Sequence, residues 1–485
     1  MKNKRRDFLR LSGLIGLSTL LKPIEGFSKD SEVAGMDFSS HPTAGFNMCG
    51  YGAPKIDNVR VGIIGVGNRG QAAVFRLSQI ENVTIKVLCD VQRDKIDFAL
   101  KRIKNSGQKP QILTGSEDWK RVCEMNDIDL IYIVTHWALH TPIAEYAMKN
   151  GKHVCVEVPA ATTIDEAWRL VEASEANKRH CMMLENCCYD FFELLTLNMA
   201  RQGFFGEIFH CEGAYIHDLK ENITRKNFKW HMWRLKENYE RKGNLYPTHG
   251  LGPVCQIMNI NRGDKFDYLV SMSSADFMLG QYVEDLAKKD DFYQPYVGKD
   301  YRGNMNTSII KTQKKKTIML QHDVTSSRPY SRIHLVSGTK GTAQKYPLPD
   351  GKESGRIAVD HTGWLPKEEV EKLREKYNPA IIKRIGELAR KVGGHGGMDF
   401  LMDWRTIDCL RNGLPLDQDV YDAALWSCIF PLSEESIRNR SKSMDIPDFT
   451  RGNWKTNTPV DITMSKGGNT GIKDISKPQK EDFVL

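Results

Sequence analysis

No Lys/Arg tract interleaved with aromatics occurs in this 485-residue chain, which argues against nucleic acid despite a formal charge of +8. The run Lys311 to Lys316 lies between two strand-like stretches and reads as a solvated hairpin turn. Eleven cysteines are present, yet no C-x-x-C pairs with another at zinc-finger spacing, so no metal is expected. Their spacings do not demand disulfides. Cys89, Cys123 and Cys155 fall in apolar contexts and read as buried thiols. No internal repeat is evident. The apolar stretch Leu11 to Leu21 is too short to cross a bilayer, so no membrane span is expected in the mature protein. What remains is an ordinary globular composition, 40% hydrophobic and 27% charged, with length for a normal core.

The most informative segment that is present runs Val61-Gly62-Ile63-Ile64-Gly65-Val66-Gly67-Asn68-Arg69-Gly70. It is an apolar strand entering a G-x-G-x-x-G turn. Gly65 permits the tight turn, Gly67 lets backbone approach a pyrophosphate, and Gly70 lets a helix pack close to the strand. The N–H groups opening that helix would face the phosphates. A second strand, Thr84 to Cys89, ends at Asp90. A carboxylate there accepts hydrogen bonds from a ribose hydroxyl and repels a 2′-phosphate, so the cofactor indicated is NAD.

From Asn58 to about Asn186 strands and helices alternate. Strand candidates are Val59–Ile64, Thr84–Cys89, Leu130–Val134, His153–Val156 and His180–Leu184; helix candidates include Gln71–Gln79, Thr141–Lys149 and Ile164–Ala176. This predicts an α/β Rossmann domain at 57–186, a parallel sheet covered on both faces. Beyond it, Glu207–His217, Phe266–Ser273, Thr307–Thr312, Thr317–Val324 and Ser331–Ser337 are strand-like, with few helices between. They predict an α+β substrate domain at 187–455 with a mainly antiparallel sheet. An exposed face on that sheet would invite pairing of copies as a homo-oligomer. Trp404–Leu410 and Tyr421–Ile437 return to helix. Residues 456–485 read as a polar extended tail and 31–56 as a linker or N-terminal arm. Residues 1–30 carry Arg5-Arg6 with Phe8-Leu9 ahead of the apolar stretch, which resembles a twin-arginine export signal and implies a periplasmic location. No clear cleavage site or lipobox cysteine follows.

This plan resembles the Gfo/Idh/MocA oxidoreductases. Ile133 to His140, Gly151 to Pro159 and Gly243 to Gly250 match the segments where that family has a third-strand loop, a Glu-Lys-Pro ending and a catalytic histidine. The departures are informative. Val158 stands where the catalytic lysine is usual, and Pro247 and Thr248 occupy the stretch that usually holds an aspartate. Together with the export signal, Trp137-Ala138-Leu139-His140, Glu157-Val158-Pro159 and Tyr246-Pro247-Thr248-His249 resemble glycoside hydrolase family 109. That resemblance implies an NAD-dependent glycosidase acting on a glycoside or glycan, with α-linked N-acetylgalactosamine as the family's described substrate.

An ordinary glycosidase needs two carboxylates across the scissile bond, and no such pair is evident in a motif. The resemblance implies another route. The sugar is oxidised transiently at C3, the C2 proton becomes acidic, the aglycone leaves C1, water adds, and the ketone is reduced again. This needs bases near C2 and the C3 hydroxyl and an acid for the leaving group. His249, Tyr246 and Tyr189 are the candidates. Gly65, Gly67, Asn68, Arg69, Gly70 and Asp90 would hold the adenosine and phosphate half of the cofactor. Trp137, His140, Glu157, Val158 and Asn186 would lie at the nicotinamide end. The sugar would meet Tyr215, Arg234, Tyr246, His249 and Tyr330, with Lys229 to Arg234 supplying aromatic and hydrogen-bonding character. The rivals are a net sugar or cyclitol oxidoreductase, against which Val158 and the export signal argue, and a sugar-sensing protein without catalysis.

Overall fold

The computed structural model describes residues 45–226, 228, 230–347 and 355–473. The export signal and the ends of the arm and tail lie outside the described residues. Strand β1 (Val59–Ile64) is almost continuously apolar because it is covered on both faces. It pairs in parallel with β2 (Val83–Cys89) on one side and β4 (Leu130–Ile133) on the other. With β3 (Gln111–Leu113), β5 (His153–Val156) and β6 (Cys181–Met183) the order is β3-β2-β1-β4-β5-β6. The order reverses between β1 and β4, which opens a crevice at the strands' carboxyl ends. Helix α1 (Asn68–Ser78) follows the glycine turn directly, with Gly67 as its N-cap. Helix α2 (His140–Lys149) follows β4, and α3 (Ile164–Asn177) follows β5, its start fixed by Thr163 Oγ1 accepting from the Glu166 N–H at 3.1 Å.

A second sheet holds β7 (Ile208–Ile216), β8 (Phe266–Ser273), β9 (Asn306–Thr312), β10 (Thr317–Asp323), β11 (His334–Gly338), β12 (Thr342–Lys345), β13 (Arg356–Ala358) and β14 (Met444–Asp445). Its order is β13-β12-β11-β7-β10-β9-β8-β14. Every pairing is antiparallel except β7 with β10. More helix intervenes than the sequence suggested. Helix α4 (Thr248–Ile257) packs on β7, where Gly250 and Gly213 bring the backbones so close that a Cβ on Gly213 would lie 2.1 Å from the Gly250 carbonyl oxygen.

Helices α5 (Met398–Asn412) and α6 (Val420–Arg438) follow the second sheet in sequence but pack back on the first, α5 against α1 and β1 and α6 against α3 and β6. Asp419 and Asp422 form a capping box on α6 and also bind the buried Arg262 guanidinium at 2.7 and 2.6 Å. The described part of the C-terminal tail is extended but docked. Asp408 on α5 accepts from the Gly468 and Thr470 N–H groups, and Ile472 bridges to Ile80.

Candidate active site

A cleft of about 580 Å³ opens where the strand order reverses, within the size range of small-molecule sites. Gly65 has φ +90, and a Cβ there would lie 2.5 Å from the Val134 carbonyl oxygen. A Cβ on Gly70 would meet the Gly65 carbonyl oxygen at 2.1 Å, so that glycine serves strand–helix packing and does not line the cleft. At Gly67 a Cβ would meet nothing within 4 Å, because that position faces the open cleft. The first-turn N–H groups of α1 and this open glycine fit a pyrophosphate.

Asp90 lines the same end and also braces the turn, accepting from the Val66 N–H at 2.5 Å and the Gln92 N–H at 2.8 Å. Burial raises its carboxyl above the ordinary value, against the pull of those two donors. Arg93 turns away to Asp97, and Lys95 lines the cleft instead. Farther along, Trp137 donates its indole N–H to the Val158 carbonyl at 3.2 Å. His140 is 1% exposed, and both ring nitrogens face backbone carbonyls, Pro159 at 2.8 Å and Thr135 at 3.0 Å. It ties the loop after β4 to the loop after β5.

Arg69 reaches across the cleft. Its guanidinium donates to Glu157 at 3.0 Å and to Asp399, the second residue of α5, at 2.9 Å. Asp399 is a hub. It also meets His395 Nδ1 at 2.9 Å, Arg76 at 3.5 Å and Asn186 Nδ2 at 2.5 Å. Burial alone would raise its carboxyl; Arg69, His395 and Arg76 overcome that and hold it well below the usual range. His395 lines the cleft from the loop Gly393-Gly394-His395-Gly396-Gly397, in which all five residues have positive φ, from 46° to 105°. Four glycines make that path accessible at little steric cost.

The far end is aromatic. Tyr246 stands 4.8 Å from His249 and 5.0 Å from Tyr215 between ring centroids. The Arg234 guanidinium lies 5.0 to 5.3 Å from the rings of Tyr246, Trp137 and Trp233. Among the described residues it has no carboxylate ion-pair partner. Tyr215 Oη contacts His217 Nδ1 at 3.1 Å. Burial pushes the Tyr215 phenol up to about 12 and that of Tyr246 higher still, against the opposing pull of Arg234. A proton relay through Tyr246 would need a lowered phenol, and in this cleft burial outweighs Arg234 and raises it. Burial also takes His217 down to about 4, so this imidazole is neutral.

His249 stands in the first turn of α4. Its Nδ1 lies 2.7 and 2.9 Å from the two oxygens of Glu185, which is fully buried two residues past β6. Burial raises the Glu185 carboxyl, but His249, Thr248 and the Cys187 N–H bring it below its ordinary value.

The structure thus gathers Gly65, Gly67, Asn68, Arg69, Asp90, Trp137, His140, Glu157, Val158, Asn186, Tyr215, Arg234, Tyr246 and His249 around one cleft. Three of the expected residues lie outside the lining: Gly70, which packs strand on helix, Tyr189 and Tyr330. Tyr189 is 2% exposed, and its hydroxyl donates to Asp417 at 3.2 Å, so it is a core residue rather than a proton carrier for the sugar. Tyr330 stands outside the lining, 40% exposed, with its ring 5.0 Å from His217. Glu185, His217, His395 and Asp399 were missed. The Gly-Gly-His-Gly-Gly run was the available signal: a histidine flanked by glycines has little reason to be core. All eleven cysteines are free thiols, ten of them buried.

Comparison with known proteins places this geometry. The model for the glycosyl hydrolase 109 C-terminal domain matches residues 189–456, and that for the oxidoreductase family NAD-binding Rossmann fold matches residues 59–185. The chain is 48% identical to the α-N-acetylgalactosaminidase of Bacteroides fragilis over 417 residues, covering 84% of this chain and 96% of that one. It is 44% identical to a glycosyl hydrolase family 109 protein of Shewanella pealeana over 95% of this chain and 99% of that one. Among solved structures it shares the fold of levoglucosan dehydrogenase in complex with NADH and levoglucosan, with a TM-score of 0.61 and 17% identity over 81% of this chain and all of that one. The scyllo-inositol dehydrogenase of Lactobacillus casei with NAD(H) and scyllo-inositol gives a TM-score of 0.56 at 14% identity, over 80% of this chain and 99% of that one. The chain belongs to glycosyl hydrolase family 109 and is an NAD-dependent glycoside hydrolase built on the Gfo/Idh/MocA fold.

Proposed function

We propose that the chain removes terminal, α-linked N-acetylgalactosamine from glycans by oxidation at C3, elimination across C1–C2, addition of water and return of the hydride. The sugar is taken from the name of the Bacteroides fragilis relative. The observation that carries the mechanism is the state of the cleft's carboxylates. Among the described lining residues, Asp90 braces the glycine turn, while Glu157 and Asp399 are bound to Arg69. None is free to act as half of an opposed carboxylate pair. What the cleft offers instead is two imidazoles, each backed by a carboxylate.

Bound NAD would accept the C3 hydride and later return it, while the C3 hydroxyl proton passes to water in the open cleft and comes back with the hydride. The protein moves the other protons. His249 stands beside an undivided carboxylate, which suits a group that takes the proton from C2. The pair from that C–H bond moves onto the C3 carbonyl oxygen as an enolate, then returns to form the C1–C2 double bond as the C1–O bond breaks. His395 faces a carboxylate shared with two arginines, which suits a group that gives its proton to the departing oxygen and later takes one from water. Tyr215 and Tyr246, kept protonated by burial, donate hydrogen bonds to sugar oxygens. Arg234 offers the unpaired positive charge for the oxygen that turns anionic when C2 is deprotonated.

The test is hydrolysis in D₂O of a nitrophenyl α-N-acetylgalactosaminide without added NAD. Aglycone release with deuterium at C2 of the free sugar supports the reading. Direct displacement never touches C2. Full activity of cofactor-free protein, without C2 exchange and without a rate effect of C2 or C3 deuteration, would overturn it. A panel of other glycosides checks the sugar and linkage. Export through Arg5-Arg6 belongs to the same proposal: replacing both with lysine should leave the protein in the cytoplasm, and normal export would remove the twin-arginine reading.

A further inference from the structure

The carboxylate that backs His249 stands two residues past strand β6. Glu185 is 0% exposed, lies outside the cleft lining, and sits behind His249 rather than beside any space for substrate. Its two oxygens lie 2.7 and 2.9 Å from one nitrogen, Nδ1 of His249. The Cys187 N–H also donates to it, at 3.0 Å, and its backbone carbonyl is held by Gln418 Nε2 at 3.0 Å. Neither Glu185 oxygen is within ion-pair distance of an arginine or lysine among the described residues. The other dyad differs: Asp399 serves His395 while also neutralising Arg69 and Arg76. The residue next to Glu185, Asn186, donates to Asp399, so two successive positions at the end of β6 fasten the carboxylates behind both imidazoles.

We infer that Glu185 is the positioning residue of the C2 base: it holds the proton of His249 on Nδ1, aims Nε2 into the cleft, and supplies the charge that lets the ring accept the C2 proton. The inference rests on the reading of His249 given above. A carboxylate buried with one histidine fixes both tautomer and ring orientation, because an acceptor-only partner requires an N–H on the nitrogen it faces. The other groups around the ring are neutral or distant in charge. Tyr215 and Tyr246 present edges at 5.1 and 4.8 Å, and the Cys187 thiol is pushed far up by burial. His217 is neutral, and Arg234 and Arg332 stand beyond the tyrosines and Cys187. The charge available to the ring at contact distance is that of Glu185.

Glu185→Gln keeps the size and one acceptor but removes the charge. Its expected signature is a fall in kcat of ~10²-fold or more with KM changed far less, in line with the usual contribution of a general base. C2 deuterium incorporation should slow in parallel, and the acid limb of the kcat profile should move to lower pH. Glu185→Asp keeps the charge at longer reach and should recover part of the loss. In the unmodified holoenzyme, ¹⁵N-labelled histidine spectra should show His249 protonated on Nδ1 and bare on Nε2. This measurement needs no variant to fold and no turnover. The opposite tautomer overturns the inference. So does a Glu185→Gln protein that melts lower but keeps its pH profile and C2 exchange, since that is a purely structural acid. His249→Ala separates the two ideas. If it retains C2 exchange, the reading of His249 has failed. If it loses exchange while Glu185→Gln does not, the role of Glu185 alone has failed.

Discussion

Asp399 shows how one side chain carries both stability and chemistry. It is 1% exposed and binds Arg69 from the glycine turn, Arg76 from α1, Asn186 from the end of β6 and His395 from the glycine loop. Asp399→Ala leaves Arg76, itself 2% exposed, with Asp403 alone, and should cost about 3–5 kcal/mol, the usual penalty for breaking a buried pair. Denaturant melts of the two proteins check this. The pH dependence has a definite sign. The folded carboxyl lies below its unfolded value of about 3.9, so its contribution is fully present above that pH and is lost as pH falls through the folded value. The gap in melting temperature between wild type and Asp399→Asn should therefore narrow below about pH 4. Asp90 makes a separate prediction. Its carboxylate sits where a 2′-phosphate would come, so mass analysis of cofactor released on denaturation should find NAD in excess over NADP. Lys95, which lines the same end, is the residue to examine if NADP predominates.

At the scale of elements, the glycine turn separates folding from binding. Gly67 has φ −69, and a Cβ there meets no atom within 4 Å. Gly67→Ala should fold with nearly unchanged melting behaviour yet carry little NAD, because the added methyl points to the phosphates. Gly70→Ala should do the reverse damage, forcing apart β1 and α1 where its Cβ would fall 2.1 Å from the Gly65 carbonyl oxygen. Equal loss of stability in both variants would show that the turn is only structural. The same turn explains what could be read from sequence. Strands β1, β5 and β8 were legible to the residue, β1 and β5 as short, mostly apolar runs bounded by turn signals and β8 as a strand mixing polar and apolar positions with one wet face. The NAD turn was legible because its glycines are required by backbone geometry, which leaves a local trace. His395 left no periodic trace, since its loop is neither helix nor strand. Glu185 looked like the plain end of an apolar strand, because its partner is 64 residues away. Tyr189 misled for the same reason: its position after β6 pointed to the crevice, but its side chain turns to Asp417 in the core. Helix α4 and the helices between the second sheet's strands were underweighted because the alternation of the strands dominated the pattern.

Across the whole molecule the two sheets are joined through the C-terminal helices, and the described residues cluster as one compact unit. Helix α6 touches α3 and β6 on one side and β8 on the other, so it ties the cofactor layer to the substrate layer. One face of the second sheet is taken by α4 and its neighbours; the opposite face has no such cover among the described residues. There Leu335, Glu212, Met319, Ile309 and Val270 stand in a single cross-strand row over five strands. Met272 beside them is 66% exposed, Ile309 39% and Tyr268 38%. The row is apolar apart from Glu212; exposed apolar surface costs free energy in water, and a second copy would present the same surface for two-fold pairing. Sedimentation of the purified protein should therefore give a dimer or larger assembly at micromolar concentration. Met272→Lys with Ile309→Lys places two charges on that face without touching the cleft, so it should yield a monomer that still holds NAD. An unmodified protein that sediments as a monomer would leave the row as bare solvent-facing sheet and remove the pairing from the account of this fold.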